Sequence, residues 1–596
     1  MKIRIIQKDR EYIEEGYTDE KLLNVIQRSK ASIVAPCGGM KKCGKCLVHL
    51  EGCTQPAGSE EIKLIGTENL SKGFRLACFV IPEDGMTARI PDSNAKNKIM
   101  TGSGISVTDL KPAIGITKIK AVKPHLDNQV SDLKNIMENT HLMIDRNNLP
   151  LLKELTGALE NSSHEPTLIS YYDKITGVEH KENGHFYGVS IDIGTTTIAV
   201  YLYDLTYGTL KGVVSQMNNQ KQFGADVISR INYSSTERNG LSTMNKVLIE
   251  QLNEMIELAC SDYGTEKNDI YMVTLAGNTT MMHFLMGLDP INIGKMPFTP
   301  VSTDMHDFPA AQLGLEINKF GHTLCLPSVS AYVGADIVAG LLATGIHIGK
   351  EIRLLVDIGT NGEMVLGNED RMISCSTAAG PAFEGANIRF GTGGISGAID
   401  TVKMVDGDVV FTTIDDMEPI GICGSGIVDA VAVMLENDII DETGRFYDED
   451  ELDLPEKLME RFHELDNMKA FRITDKISVT QKDVREIQNA KAALAAGITT
   501  LIKKYGISAG DISEIYLAGG FGNYINISSA IKIGLLPRVP EEKIIASGNT
   551  AGVGATMCLL SYDYIDLAER IKRRVEYIEL TTDPGFTNEY IDNMIF

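Results

Sequence analysis

No stretch of 18 or more apolar residues occurs in this chain, which excludes a membrane-spanning helix. Positive charge is scarce: 56 Lys and Arg stand against 80 Asp and Glu, for a net charge of −24. That balance argues against nucleic acid and against an anionic membrane as partners. The opening Met1-Lys2-Ile3-Arg4-Ile5-Ile6-Gln7-Lys8 lacks a small-residue cleavage site and carries charge throughout, so it reads as a first strand rather than a secretory leader. The ten cysteines are therefore expected in a reducing, cytoplasmic setting, where structural disulfides seldom persist. Acidity is itself missing from one region. Residues 1–95 hold 14 Lys and Arg against 13 Asp and Glu, so nearly all the negative charge lies beyond them.

What is present begins with length. A chain of 596 residues accommodates three or four domains of about 150 residues each. A hydrophobic content of 43% with 23% charged residues is that of an ordinary globular protein. The most informative stretch is Cys37-Gly38-Gly39-Met40-Lys41-Lys42-Cys43-Gly44-Lys45-Cys46, with a fourth thiol at Cys78 in Arg75-Leu76-Ala77-Cys78. Glycines let a backbone wrap close to inorganic sulfide and aim N–H groups at it, which is what a C-x5-C-x2-C loop around an iron–sulfur cluster needs. Cys37, Cys43, Cys46 and Cys78 are thus the expected ligands of one 2Fe-2S cluster. Zinc is the competing ion, but it usually takes two separated C-x2-C knuckles and only Cys43 and Cys46 form one. Cys53, Cys260, Cys325, Cys375, Cys423 and Cys558 are scattered and are expected as buried small hydrophobes, with Cys53 near enough to the loop to be a spare ligand. The loop is one residue longer than the plant-type spacing. In that it resembles adrenodoxin-like ferredoxins and the ferredoxin modules of corrinoid-activating proteins.

The rest of the chain divides by pattern. Residues 1–92 alternate as a 2Fe-2S ferredoxin-type β-grasp domain should, with strands expected at Lys2–Ile6, Leu47–Leu50 and Thr87–Ile90 and a helix at Leu22–Arg28. Residues 93–130 are rich in small polar residues and glycine and are expected to be a linker. Residues 131–185 read as a small α/β middle domain with a spacer or dimerisation role. Residues 186–596 are expected as one ATPase domain, with lobes at about 186–350 and 351–560 and a tail at 561–596.

Two strand–turn–strand devices carry that last assignment. The first is Tyr187-Gly-Val-Ser-Ile-Asp192-Ile-Gly194-Thr195-Thr196-Thr197, and the second is Arg353-Leu-Leu-Val-Asp357-Ile-Gly359-Thr360-Asn361-Gly362-Glu363. Asp192 and Asp357 lie 165 positions apart. Each aspartate suits Mg²⁺ held through water, and each glycine-hydroxyl turn suits phosphate oxygens. Glu363 is the expected orienter of the hydrolytic water. These residues resemble the phosphate-1 and phosphate-2 loops of the superfamily of acetate and sugar kinases, heat-shock chaperones and actin, the ASKHA ATPases. Its other landmarks follow in order. A first connecting helix is expected around Gly334-Ala335-Asp336, an adenosine motif at Tyr516-Leu-Ala-Gly519-Gly520-Phe521-Gly522-Asn523, and a second connecting helix at Gly548-Asn549-Thr550-Ala551-Gly552-Val553-Gly554. Helix 481–504 is the expected adenine-side wall. Two further N-termini are ambiguous between phosphate contact and ordinary packing, at Asn278-Thr279-Thr280 and at Gly424-Ser425-Gly426; His283 is expected to pack.

An iron–sulfur module beside an ATPase makes chemical sense where an electron must be driven uphill, with nucleotide state gating the affinity for a partner. The order of parts resembles the reductive activators of corrinoid proteins along essentially the whole chain, carried by the four cysteines, Asp192, Asp357 and Gly519-Gly520. The resemblance implies ATP-dependent one-electron reduction of a Co(II) corrinoid protein to Co(I) in support of methyl transfer. It also implies ATP with Mg²⁺ as cofactor, an upstream low-potential electron donor and a homodimer. Met40-Lys41-Lys42 departs from the family loop, where a glycine is expected. The alternative is an ATP-driven activator of a 2-hydroxyacyl-CoA dehydratase, but such activators usually hold a 4Fe-4S cluster between subunits within the ATPase fold.

Overall fold

The computed structural model describes residues 1–596 apart from 8–9, 18–19, 30, 32, 34–40, 42–43, 45, 92–108, 145, 181–185, 449–453 and 523. In the N-terminal part, Lys2–Gln7 alternates as its sequence predicts, with Ile3 and Ile5 buried and Lys2 and Arg4 turned outward. It pairs antiparallel with Arg10–Glu15 and parallel with Thr87–Arg89. Leu47–Glu51 and then Phe74–Leu76 complete a mixed five-stranded sheet. Helix Leu22–Arg28 seals one face, with Leu22, Leu23, Val25 and Ile26 in the same apolar cluster as Ile3 and Ile5.

Residues 109–180 form a second unit that corrects the expected boundaries. Strand Ile114–Lys118 lies inside the stretch expected to be linker and pairs with Thr167–Tyr171 in a four-stranded sheet completed by Lys174–Glu179 and Met143–Ile144. The unit is not a free spacer. Ala113, Ile114, Ile169 and Tyr171 join the core of the lobe that follows, and Tyr171 stacks on His322 at 4.4 Å. The Lys111 amide donates to the Leu560 carbonyl, and the Tyr562 amide donates back to Lys111.

Each of the two lobes is built on a six-stranded sheet. The first runs Thr209–Met217, Thr197–Asp204, Tyr187–Ile193, Ile270–Gly277, His322–Cys325, His306–Pro309. The second runs Met372–Thr377, Gly362–Gly367, Arg353–Ile358, Glu514–Ala518, Ile544–Gly548 in the matching order, with Val575–Tyr577 added beyond Met372–Thr377. In both, a three-stranded antiparallel meander continues into parallel strands on the far side of its first strand. The stretch expected as a tail is woven back. Helix Tyr562–Arg574 sends Ile565, Ala568 and Ile571 into the first lobe's core, and Val575–Tyr577 closes the second lobe's sheet.

Helices Ala335–Thr344 and Thr550–Leu560 cross where the lobes meet, and glycine sets their distance. A Cβ on Gly554 would stand 2.1 Å from the Ala339 carbonyl oxygen, so the backbones touch only because that atom is absent. Among the described residues no helix is long and apolar enough to cross a membrane.

Candidate nucleotide cleft and thiol site

Strand Tyr187–Ile193 ends by presenting Asp192, and the chain reverses through Gly194, Thr195 and Thr196 into Thr197–Asp204. A Cβ on Gly194 would lie 2.5 Å from the Thr197 carbonyl oxygen, so the reversal requires glycine. The second lobe repeats this with Asp357 at the end of Arg353–Ile358 and the turn Gly359-Thr360-Asn361, closed by the Gly359 amide donating to the Asn361 carbonyl at 3.0 Å. Gly362 opens the next strand flush against Leu494 and Thr377.

The expected acids are brought together, with one more. Burial pushes Asp192 up to about 7, opposed by an Asn549 amide that donates to its Oδ2 at 2.8 Å and reinforced by the charge of Asp357. Burial alone pushes Asp357 up to about 6. Asp336, in the first turn of Ala335–Thr344, is raised by burial and then by Asp357 and Asp192. Glu363 is raised well above the usual carboxylate range by burial and by the charges of Asp336 and Asp357, while Asn361 and Ser376 hydrogen bonds oppose the shift. Asp336 and Glu363 both feel the charge of Asp357, and Asp336 feels that of Asp192 as well, so the four carboxyl groups line one cleft. Among the described residues no three His, Cys, Asp or Glu side chains form a direct ligand set for a metal ion. Asp336 was within the connecting-helix motif, but only the packing of that helix between the lobes sets it against Asp357.

Three other side chains at the cleft escaped sequence reasoning. Glu384, on the turn Pro381–Glu384, accepts from Thr196 Oγ1 at 3.0 Å and from Thr360 Oγ1 at 2.7 Å. Arg230 is fully buried, donates to the Thr195 carbonyl at 2.5 Å and to the Gly224 carbonyl at 3.0 Å, and is pulled down to about 10 by burial. Lys221 is lowered by burial and sits within the charge field of Glu384. None belongs to a recognisable motif, and their meeting depends on chain segments more than 150 positions apart. Of the two ambiguous helix N-termini, Asn278 caps Thr279–Met286 and donates to Thr195 Oγ1 at 2.8 Å, which steadies the first phosphate loop. The other packs: a Cβ on Gly424 would meet the Phe383 carbonyl oxygen at 2.0 Å. His283 is a packing residue, bonded through Nδ1 to the Thr279 carbonyl and accepting at Nε2 from the Val301 amide.

At the adenosine motif, strand Glu514–Ala518 runs into Gly519, whose φ of +86° and tight approach to Asp357 Oδ1 (2.6 Å from a Cβ placed there) both demand glycine. Gly520 follows, and Phe521 stacks on Phe383 at 4.8 Å. Asn523 lies outside the described residues. Helix Gln481–Tyr505, the expected adenine-side wall, lies against the second lobe's meander.

In the N-terminal part, the antiparallel pairing of Leu47 with Leu76, and the Ala77 amide donating to the Cys46 carbonyl at 2.9 Å, bring Cys46 and Cys78 together. Their sulfurs stand 3.3 Å apart, both buried. Cys37 and Cys43 lie outside the described residues. Lys41, within the Met40-Lys41-Lys42 stretch where a glycine was expected, has φ +61° and sets its ammonium 4.9 Å from the Phe79 ring centroid. Cys53 is placed against Arg75, whose Nη1 is 3.5 Å from its sulfur while the guanidinium pairs with buried Glu61.

The duplicated sheets, crossing helices and facing phosphate loops define a two-lobed ASKHA-type fold. Comparison with known proteins agrees. Residues 351–596 match a family model described as the C-terminal, ASKHA domain of RACo, and residues 187–349 match one described as the RACo middle region. The chain is 34% identical to the corrinoid activation enzyme RamQ of Eubacterium limosum over 94% of its own length and 93% of that protein. It is 27% identical to a Methanosarcina barkeri reductase of a Co(II) methylated-amine-specific corrinoid protein, over 68% of this chain and 76% of the other. A solved structure, a reductive activator for a corrinoid, iron–sulfur protein, superposes with a TM-score of 0.74 at 31% identity, covering 100% of this chain and 98% of that one. This chain belongs to the family of corrinoid-protein reductive activators.

Proposed function

We propose that this protein is an ATP-dependent reductive activator: it returns the cobalt of an inactivated corrinoid protein from Co(II) to Co(I) by delivering one electron received from a low-potential donor. The observation that carries the reading is the presence, in one chain, of a converging buried thiol pair and a cleft of facing phosphate loops. Likeness to named corrinoid activators along nearly the full length supports it. The location of the thiols, in the N-terminal sheet and not in the cleft, disfavours the dehydratase-activator alternative.

A mixed five-stranded sheet sealed by one helix supports reading the N-terminal part as a ferredoxin module, and the Cys46–Cys78 approach suits two thiolates on one iron. A 2Fe-2S cluster held by Cys37, Cys43, Cys46 and Cys78 would supply one-electron transfer. Arg75 and Glu61 brace strand Phe74–Leu76, which leads into the turn that carries Cys78, through two hydrogen bonds of 3.0 and 2.8 Å. In the cleft, the hydroxyls of Thr196 and Thr360 and the backbones of Gly194, Thr195, Thr197, Gly359, Asn361 and Gly362 take the phosphates. Gly519, Gly520 and Phe521 take the adenosine. Asp192 and Asp357, with Asp336, hold the water shell of Mg²⁺, and Glu363 orients the hydrolytic water. Hydrolysis resets the angle between lobes across the Gly554 crossing, so the protein has one affinity for its partner with ATP and another with ADP. We place the protein in the cytoplasm and assign it as a homodimer.

The test is anaerobic and optical. Reduced protein is mixed with a Co(II) corrinoid protein and Mg-ATP, and the Co(I) absorption band is followed. The band should require ATP and should vanish in Cys46→Ser while nucleotide binding persists. ATP consumption with no Co(I) from any of several corrinoid proteins would sink the proposal.

A further inference from the structure

The two hydroxyls best placed to receive phosphate are already taken. Glu384 accepts from Thr196 with one carboxylate oxygen, at 3.0 Å, and from Thr360 with the other, at 2.7 Å. Thr196 stands on the phosphate loop of the first lobe and Thr360 on that of the second, so one side chain ties the lobes together across the cleft. The cations nearby answer to the same carboxylate: Lys221 and Arg230 both feel its charge. Two hydroxyl donors on one bidentate anion form a donor set that suits a terminal phosphoryl group.

We propose that Glu384 is a built-in surrogate for the γ-phosphate, holding the Thr196–Thr360 site closed until ATP displaces it. The inference rests on the cleft being an ATP site, as proposed above. Two anions cannot share these donors: a phosphoryl oxygen entering the site loses the hydroxyls to Glu384 and meets its charge at close range. ATP must therefore drive the carboxylate out, while ADP, lacking the terminal group, leaves it in place.

The turn that carries Glu384 is built to relay the displacement. It lies between Gly380 at φ +78° and Gly385 at φ +76°, two positions that a side chain rarely tolerates. Gly385 is seated so tightly that a Cβ there would meet the Thr392 carbonyl oxygen at 2.3 Å, which anchors the far end. Phe383, next to Glu384, stacks on Phe521 of the adenosine motif at 4.8 Å with ring planes 14° apart. One short turn thus touches both phosphate loops and the adenosine motif, and the exit of Glu384 reports the third phosphate to all of them. Strength of ATP binding is lowered by the latch, and discrimination of ATP from ADP is what it supplies.

The experiment measures ATP and ADP dissociation constants by calorimetry on the full chain with Mg²⁺ and no partner protein. Glu384→Gln removes the competing charge and should tighten ATP by roughly tenfold, while ADP changes by less than about twofold. Glu384→Asp, too short to span both hydroxyls, should fall between wild type and Glu384→Gln, and it serves if the glutamine variant does not fold. ATP affinity unchanged or weakened in both variants overturns the proposal, and a fall in turnover alone would instead mark Glu384 as a water-orienting residue. Absence of nucleotide binding by the unaltered chain would overturn the ATP-site reading and the latch with it.

Discussion

Asp192, Asp336, Asp357 and Glu363 behave as a group because burial has removed the water that would otherwise keep each of them ionised independently. Their folded-state proton affinities exceed those of the unfolded chain, so the native state holds more protons than the unfolded one from about pH 4 upward. That contribution to stability is complete at acid pH and is lost as pH rises through about 6 and 7, the folded values of Asp357 and Asp192. Without metal, the melting temperature in calorimetry should therefore fall between about pH 5 and about pH 8. Mg²⁺ supplies the missing charge, so its stabilising shift should be larger at the higher pH. A shift of equal size at both would mean that these acids do not meet the cation. Gly519 gives a second residue-scale expectation. Its φ of +86° and the 2.6 Å approach to Asp357 leave no room for a methyl group. Gly519→Ala should cost about 1–3 kcal/mol of stability in urea unfolding and should abolish nucleotide binding.

Among elements, the last helix, Pro584–Asp592, shows how a terminal segment becomes structural. It lies along Gln481–Tyr505, with Lys503 paired to Glu589 and Lys504 paired to Asp583. The residues after it cap buried polar groups of the long helix: Gln488 donates to the Met594 carbonyl at 2.9 Å, and Lys491 donates to that of Ile595. Lys491 is pulled down to about 8 by burial and sets its ammonium 5.5 Å from the Phe596 ring centroid. Exposed ion pairs contribute little, roughly 0–1 kcal/mol each, so the anchoring comes from the carbonyls that satisfy the buried Gln488 and Lys491 donors. Removal of residues 584–596 should lower the melting temperature by several degrees and loosen the helix that backs the cleft. Proteolysis within 481–505 would reveal the loosening, and an unchanged cleavage pattern would assign the tail a merely peripheral place.

For the whole molecule, the proposed function makes the crossing of Ala335–Thr344 and Thr550–Leu560 the place where nucleotide state becomes lobe movement. Gly554 permits that contact by offering no side chain to the Ala339 carbonyl, only 2.1 Å from where a Cβ would stand. Gly554→Val should wedge the helices apart, removing ATP hydrolysis and Co(I) formation together. The visible spectrum of the N-terminal module should stay as in the wild type, since that module has its own core and shares no cluster residue with the crossing. Retained ATPase activity in this variant would place the hinge elsewhere. The middle unit belongs to the same scale. It is fixed to the first lobe through Tyr171 on His322 and through the Tyr271 hydroxyl bonded to Glu179, so residues 109–180 move with that lobe.

The amino-acid order alone determined the parts whose chemistry is local. A glycine turn after an aspartate-ended strand can be recognised because every atom it needs lies within ten residues, and the spacing of Cys37, Cys43 and Cys46 likewise carries the proposal of an iron–sulfur loop. The repeated Asp192 and Asp357 devices fixed the two-lobed class, since both halves display the same short pattern. Tertiary structure decided whatever depends on surfaces meeting. Strand Ile114–Lys118 finds its partner some 50 positions later, so its polar surroundings read as linker until Thr167–Tyr171 lies beside it. Asp336 becomes an acid of the cleft only when its helix is wedged between lobes. Glu384 is one glutamate among many until two loops, each from a different lobe, turn their hydroxyls to it. Periodicity and motif report neighbours along the chain, whereas burial, charge coupling and the closing of a cleft are properties of neighbours in space.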